Sequence, residues 1–247
     1  MPLDYLFIPI IGLLAFFLKG TAGTGTSTVI VALSSLVIPA KETVILAAFV
    51  NIFGGLFMWR IDPLPIRKRY WVPISAAMII GSVIGALMLK VISPQRFQAV
   101  LGTAFLLTGI WFCRRAGGSV RADGTPAAAG PGDLSVGLFS GICGGFIGIC
   151  APPLVLHFGR YLDKARLRRL LVIIFIPAAV AQTGTFALTG QLTREILLLG
   201  LVTLPTIPIG VGLGNRVFLR MSETGFRRTL GGLLVFIALR LIFKSLG

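Results

Sequence analysis

Two clusters of small and polar residues interrupt apolar stretches of this chain, and the chemistry they suit is anion binding. The first, Gly23-Thr24-Gly25-Thr26-Ser27-Thr28, sets hydroxyls among glycines and lies shortly after Lys19. The second, Gly148-Ile149-Cys150-Ala151-Pro152-Pro153, places a thiol and a proline pair at the matching point of a second stretch. An apolar run resumes after each break, over 27–39 and 151–159, so each break is followed by the start of a helix. A helix start offers free N–H groups and the positive end of the peptide dipoles, which together hold an anion without a buried cation. The hydroxyls of Thr24, Thr26, Ser27 and Thr28 add donors suited to oxyanion oxygens. The same residue types also permit close helix packing. A matched pair of breaks favours a binding site, because interrupted apolar segments in corresponding halves are the sequence pointer to a transport site.

Other residues qualify this picture. Lys19 is the basic residue beside the first break, and two readings stand open: a counter-charge for an anion, or a chain that snorkels to the interface. Asn51 and Gln182 lie at corresponding places in the helices after the two breaks, as amide donors to an anion or as interhelical hydrogen bonds. Pro152 and Pro153 suit the first turn of a helix, where a missing N–H costs nothing, and would form a rigid rim. Cys143 and Cys150 flank the second break and are expected to pack rather than react. His157, the single histidine, is expected to face polar groups rather than carry protons. The carboxylates Asp4, Glu42, Asp62, Asp123, Asp133, Asp163, Glu195 and Glu223 all fall at termini or in gaps between apolar segments. No intramembrane acidic relay, metal-ligand set or cofactor motif is visible, which argues against a cationic substrate and against a metal permease.

The elements that must position these residues are membrane helices. Hydrophobic residues make up 55% of the 247 residues and charged residues 13%, about half the charge of a soluble domain. The mean hydropathy of +0.94 agrees. Apolar segments occupy 5–19, 27–39, 43–59, 70–90, 96–113, 134–144, 150–159, 169–189, 195–217 and 227–246. Most approach the ~20 residues a spanning helix needs, and the members of the broken pairs read as half-spans. The net charge of +15 sits in the gaps between segments, as the positive-inside pattern requires. That distribution makes anionic lipid the partner of the loops and excludes nucleic acid. The N-terminus lacks a basic region, so no cleaved signal peptide is expected, and no soluble domain large enough for an enzyme site is present.

The chain reads as an internal duplication. Gly12, Gly20 and Gly23 recur 125 residues later as Gly137, Gly145 and Gly148. Gly81, Gly85, Ser93, Phe97 and Gly102 recur 129 residues later as Gly210, Gly214, Ser222, Phe226 and Gly231. We divide it into a first repeat (1–115), a cytoplasmic linker (116–133) and a second repeat (134–247). Basic gaps at Arg60–Arg69, Arg114–Arg121, Arg160–Arg169 and Arg216–Arg228 are assigned to the cytoplasm, and the near-neutral gaps at Lys41-Glu42 and Arg194-Glu195 to the outside. Residues 134–159 then enter and leave on one side, and the two halves are inverted with both chain ends outside. The expected fold is an all-α polytopic membrane protein of two inverted repeats. Each repeat is a Gly-broken re-entrant or short helix pair plus three transmembrane helices, with the tips of the two breaks meeting near the midplane.

These residues resemble the sulfite exporter TauE/SafE family. The run from Gly20 to Pro39 looks like that family's Gly-rich opening, and Gly145 to His157 looks like its Gly-Pro-Pro motif followed by aliphatics and an aromatic. Asn51 matches an Asn common in the helix after the first motif. This chain departs from the pattern at Thr24 and Thr26, where glycines are usual, at Ala151 before Pro152-Pro153, and at His157, where Tyr is frequent. The resemblance implies export of sulfite, a sulfonate such as sulfoacetate, thiosulfate or another small anion across a bacterial inner membrane. The residues themselves also admit a passive anion channel, or a carrier of a non-sulfur organic anion.

Overall fold

A computed structural model describes residues 4–22, 24–61, 65–114, 128–160, 162–218 and 239. Gly23, the linker over 115–127, and the counterpart positions Ser222, Phe226 and Gly231 lie outside the described residues, as do Arg220, Arg227 and Arg228. The chain order is α1 (Asp4–Ala22), α2 (Thr26–Ser34), α3 (Ala40–Ile61), α4 (Lys68–Val91) and α5 (Pro94–Arg114). It continues with α6 (Pro131–Ile147), α7 (Ala151–Phe158), α8 (Lys164–Leu188), α9 (Arg194–Thr203) and α10 (Thr206–Phe218). Among the described residues the regular structure is all helical. Three helices among the described residues are long and apolar enough to cross a membrane: Ala40–Ile61, Lys68–Val91 and Ala165–Leu188. The fold class is therefore an α-helical membrane protein of several spans.

Local sequence explains where the helices stop, and it corrects two expected segments. The apolar run 27–39 is not one helix. It ends at Ser34 because Pro39 offers no N–H and disfavours helical geometry at Ile38, so residues 35–38 turn, with Ile38 N bonded to Ser34 O at 2.8 Å. The run 195–217 is likewise two helices, α9 and α10, bent by 45°. Pro205 withholds the next helical donor there. The last residues of the segment assigned as linker, 116–133, are helical, since α6 begins at Pro131 with Asp133 Oδ2 accepting from Gly130 N at 2.9 Å.

The two breaks fall at matching places. α1 ends at Ala22 and α6 at Ile147, while α2 starts at Thr26 and α7 at Ala151, both offset by 125 (147 − 22 and 151 − 26). With 9 and 8 residues, α2 and α7 reach only about 13 Å, short of a bilayer core. The second broken pair folds back on itself. His157, near the end of α7, meets Asp133, in the first turn of α6, through Nε2 and Oδ1 at 2.6 Å. Extended as one helix, those residues would lie roughly 35 Å apart.

Packing interleaves the halves. α6 lies along α4, and α1 lies along α10. The repeated glycines make these approaches possible. A Cβ at Gly81 would strike Leu138 O, and one at Gly145 would strike Ser82 O. On the other pair, a Cβ at Gly20 would lie 2.5 Å from Val211 O, and one at Gly214 would strike Phe17 O. Such close backbone contact is how helices gain dispersion energy in lipid, where the hydrophobic effect between helices is absent. Between the crossings lies an apolar core drawn from α1, α2, α3, α9 and α10, with Phe16, Val31, Val44, Leu46 and Val211 fully buried. A second core joins Tyr70 and Ile74 of α4 to Leu154 and Phe158 of α7 and Leu170 of α8. Ile10, Ile80, Leu107 and Phe139 point outward, the apolar exterior of a helix set in lipid.

Candidate functional site

The two breaks meet at one cavity of about 20 Å³. Thr24, Gly25, Thr26, Ser27 and Thr28 line it from the start of α2, and Gly148, Cys150 and Ala151 from the second break. Lys19 of α1 and Asn51 of α3 complete the polar wall. Gly25 (φ 92°) and Gly148 (φ 74°) hold the left-handed conformations that turn the chain at each break. The glycines therefore divide the work: Gly25 and Gly148 make the turns, while Gly20, Gly81, Gly145 and Gly214 make the helix crossings.

Donors come mainly from the first break. In α2, Val29 N already bonds Gly25 O at 3.0 Å, leaving the N–H groups of Thr26, Ser27 and Thr28 without intrahelical acceptors. The start of α7 offers fewer donors, because Pro152 and Pro153 have no N–H. Neither proline lines the cavity; both serve to start the helix. Thr26 Oγ1 is buried with no hydrogen-bond partner, a cost of roughly 1–3 kcal/mol unless something binding in the cavity satisfies it.

Lys19 does not snorkel. Its side chain is 2% exposed, and its Nζ donates to Asn51 Oδ1 at 2.9 Å. No carboxylate lines the cavity among the described residues. A buried ammonium bonded to a neutral amide, with no carboxylate beside it among the described residues, is incompletely compensated, and an anion is the complement it lacks. Asn51 also fixes the direction of every neighbouring bond. Its Nδ2 donates to Ser27 Oγ at 2.7 Å and to Ala47 O at 2.8 Å. Since Ser27 Oγ accepts from Asn51, its own hydrogen is left to point elsewhere, and Ser27 faces the cavity.

The second half differs at the equivalent places. Gly144 stands 125 residues after Lys19, and the α8 amide of Gln182 donates to Gly144 O at 3.2 Å. Gln182 lines a neighbouring cavity of about 40 Å³ rather than the first. Sequence reading missed Phe175, which borders both cavities, and the small residues Ala47, Ala48, Ala178 and Ala179 beside them. Their signal was available: they precede Asn51 and Gln182 by three, four or seven residues, which puts them on the same helix face. His157 lies at the base of the α6–α7 hairpin with Asp133, facing a polar group as expected. Cys143 lines neither cavity and is a free thiol.

A many-spanned helical protein in which two broken segments meet at a buried, donor-lined cavity has the architecture of a membrane transporter. Similarity to known proteins narrows the class. The model of the sulfite exporter TauE/SafE family matches residues 8–241, and the chain belongs to that family of transporters. It is also similar to the probable sulfite/organosulfonate exporter TauE of Cupriavidus necator, at 26% identity, covering 98% of this chain and 96% of that protein. No solved structure matches.

Proposed function

We infer that this protein exports a small sulfur-containing anion, such as sulfite, a sulfonate or thiosulfate, across a bacterial inner membrane. The observation that carries the reading is the convergence of a carboxylate-free buried Lys19, the α2 N-terminus and the orphaned Thr26 hydroxyl on one cavity. Sulfite and sulfonate groups present three oxygens to such donors, and the family and the relative's name support sulfur chemistry. Cys150 at the cavity edge is a packing group in this scheme, and no step of bond making is assigned to it.

Transport follows from the position of the site between two halves of opposite orientation. Rocking of one half against the other opens the cavity to one side at a time, and in the present conformation it has room for only one or two waters. The mechanism needs no carboxylate at the site, because the cation that compensates the cargo is Lys19.

The test is uptake of radiolabelled sulfite into proteoliposomes, with empty vesicles as reference. Flux above the reference that saturates and shows counterflow is expected. Lys19→Gln should weaken apparent affinity roughly ten- to hundredfold, the value of a charge-assisted hydrogen bond of about 1.5–3 kcal/mol. Flux equal to that of empty vesicles would remove sulfur anions as the cargo.

A further inference from the structure

We propose that the second cavity is a subsite for the organic part of a short-chain alkanesulfonate whose charged head lies among the donors of the first. This rests on the anion-export reading above. The two cavities share a wall at Ser27, Asn51, Gly148, Cys150 and Phe175, so one molecule can lie across both.

Their linings differ in kind. The second cavity sits between two matching helix faces. Val44, Ala47, Ala48 and Asn51 of α3 correspond, at a constant offset of 131, to Phe175, Ala178, Ala179 and Gln182 of α8. The spacing i, i+3, i+4, i+7 makes each set one stripe, apolar along its length and closed by an amide. The methyl side chains in the middle are too short to fill the space between α3 and α8. Ser82, on a third side, adds no free donor, because its Oγ donates to Ile79 O at 2.9 Å and lies 3.4 Å from Ala178 O.

Size and charge then set the class of ligand. About 40 Å³ admits roughly three water-sized atoms, which means a chain of two or three carbons or one carrying a hydroxyl. No Lys, Arg, His, Asp or Glu lines this cavity among the described residues. A second full charge on the tail would be buried without compensation. Gln182 Nε2 is engaged with Gly144 O, which leaves its amide oxygen to accept from a hydroxyl. The favoured cargo is a neutral-tailed sulfonate such as ethanesulfonate or 2-hydroxyethanesulfonate, in preference to one bearing a tail carboxylate or ammonium.

Competition against labelled sulfite in proteoliposomes of the full chain tests this. Potency should rise about tenfold from methanesulfonate to ethanesulfonate, the value of one buried methylene, and fall from butanesulfonate onward. Sulfoacetate and 2-aminoethanesulfonate should compete at least about tenfold less well than 2-hydroxyethanesulfonate. Ala178→Val and Ala48→Val, which fill the cavity from opposite walls, should each lower the ethanesulfonate-to-sulfite preference about tenfold. If either variant is inactive, the wild-type profile still decides. Sulfite flux with a flat profile across chain length and tail charge overturns the subsite alone. Absence of sulfite flux overturns the export reading beneath it.

Discussion

Asn51 sets the polarity of the site. By accepting from Lys19 and donating to Ser27, it leaves the cavity facing donors and a positive charge. Asn51→Asp keeps the shape and reverses this logic. A carboxylate accepts from both neighbours, so it neutralises Lys19 and captures the Ser27 hydrogen. Sulfite uptake by Asn51→Asp should fall at least tenfold while the melting temperature in detergent stays within a few degrees; uptake near wild type would show that the amide only packs. Ser27→Ala removes one neutral donor and should cost about 1 kcal/mol of binding, a severalfold rise in apparent KM. These residue types were legible in the sequence because hydroxyls, a lysine and an amide are conspicuous in apolar surroundings. The orientation of Asn51 was not, since it depends on which helices bring Lys19 and Ser27 to its two ends.

At the scale of elements, glycines that look alike in sequence have separate duties. Gly145 and Gly81 lie where α6 and α4 touch backbone to backbone, and any Cβ there meets a carbonyl oxygen that cannot move alone. Gly81→Val or Gly145→Val should abolish recovery of folded, monodisperse protein. Gly148 combines a φ of 74° with a tight neighbour, since a Cβ added there would stand 2.7 Å from Val31 Cγ2. Gly148→Ala should therefore cost at least about 1 kcal/mol and also reduce transport, because the turn forms the cavity wall. Gly184 in α8 is the contrast, because a Cβ added there would meet nothing within 4 Å. Gly184→Ala should be neutral or stabilise by up to about 1 kcal/mol, read as an unchanged or higher melting temperature. Sequence spacing marked the crossing glycines and Gly148 alike as repeated. Only the crossing of α4 with α6 and of α1 with α10 separates those that pack from those that turn.

For the whole molecule, the proposed inversion of the two halves makes a directional prediction. In a background with Cys113, Cys143 and Cys150 replaced by Ser, Lys41→Cys and Arg194→Cys should react with an impermeant thiol reagent in intact cells. Arg67→Cys and Arg160→Cys should react only after permeabilisation. Labelling of Lys41→Cys and Arg160→Cys from the same side would rule out the inverted arrangement. The fold-back of α7 onto the start of α6 through His157 and Asp133 agrees with basic gaps on both flanks of that hairpin. The interleaving of α1 with α10 and of α4 with α6 means that neither half keeps its packing if they separate completely, so the proposed rocking is a rotation about these crossings.

Composition and spacing alone determine the solvent of this chain and point to the chemistry proposed for it. Long apolar runs with basic gaps are stable only in a bilayer, and paired breaks without acids suit an anion, because both are properties written along one strand of residues. Length and proline placement also give most helix ends, including the stop at Ser34 before Pro39 and the bend at Pro205, which the apolar runs by themselves do not show. Tertiary structure decides the rest: that the two breaks share one cavity, that Lys19 turns inward, that Pro152 and Pro153 stand off the wall, and that Phe175 joins it to a second cavity lined by four alanines. Those facts depend on how helices distant in sequence are rotated against one another, and that rotation is fixed by backbone contacts at the glycine crossings.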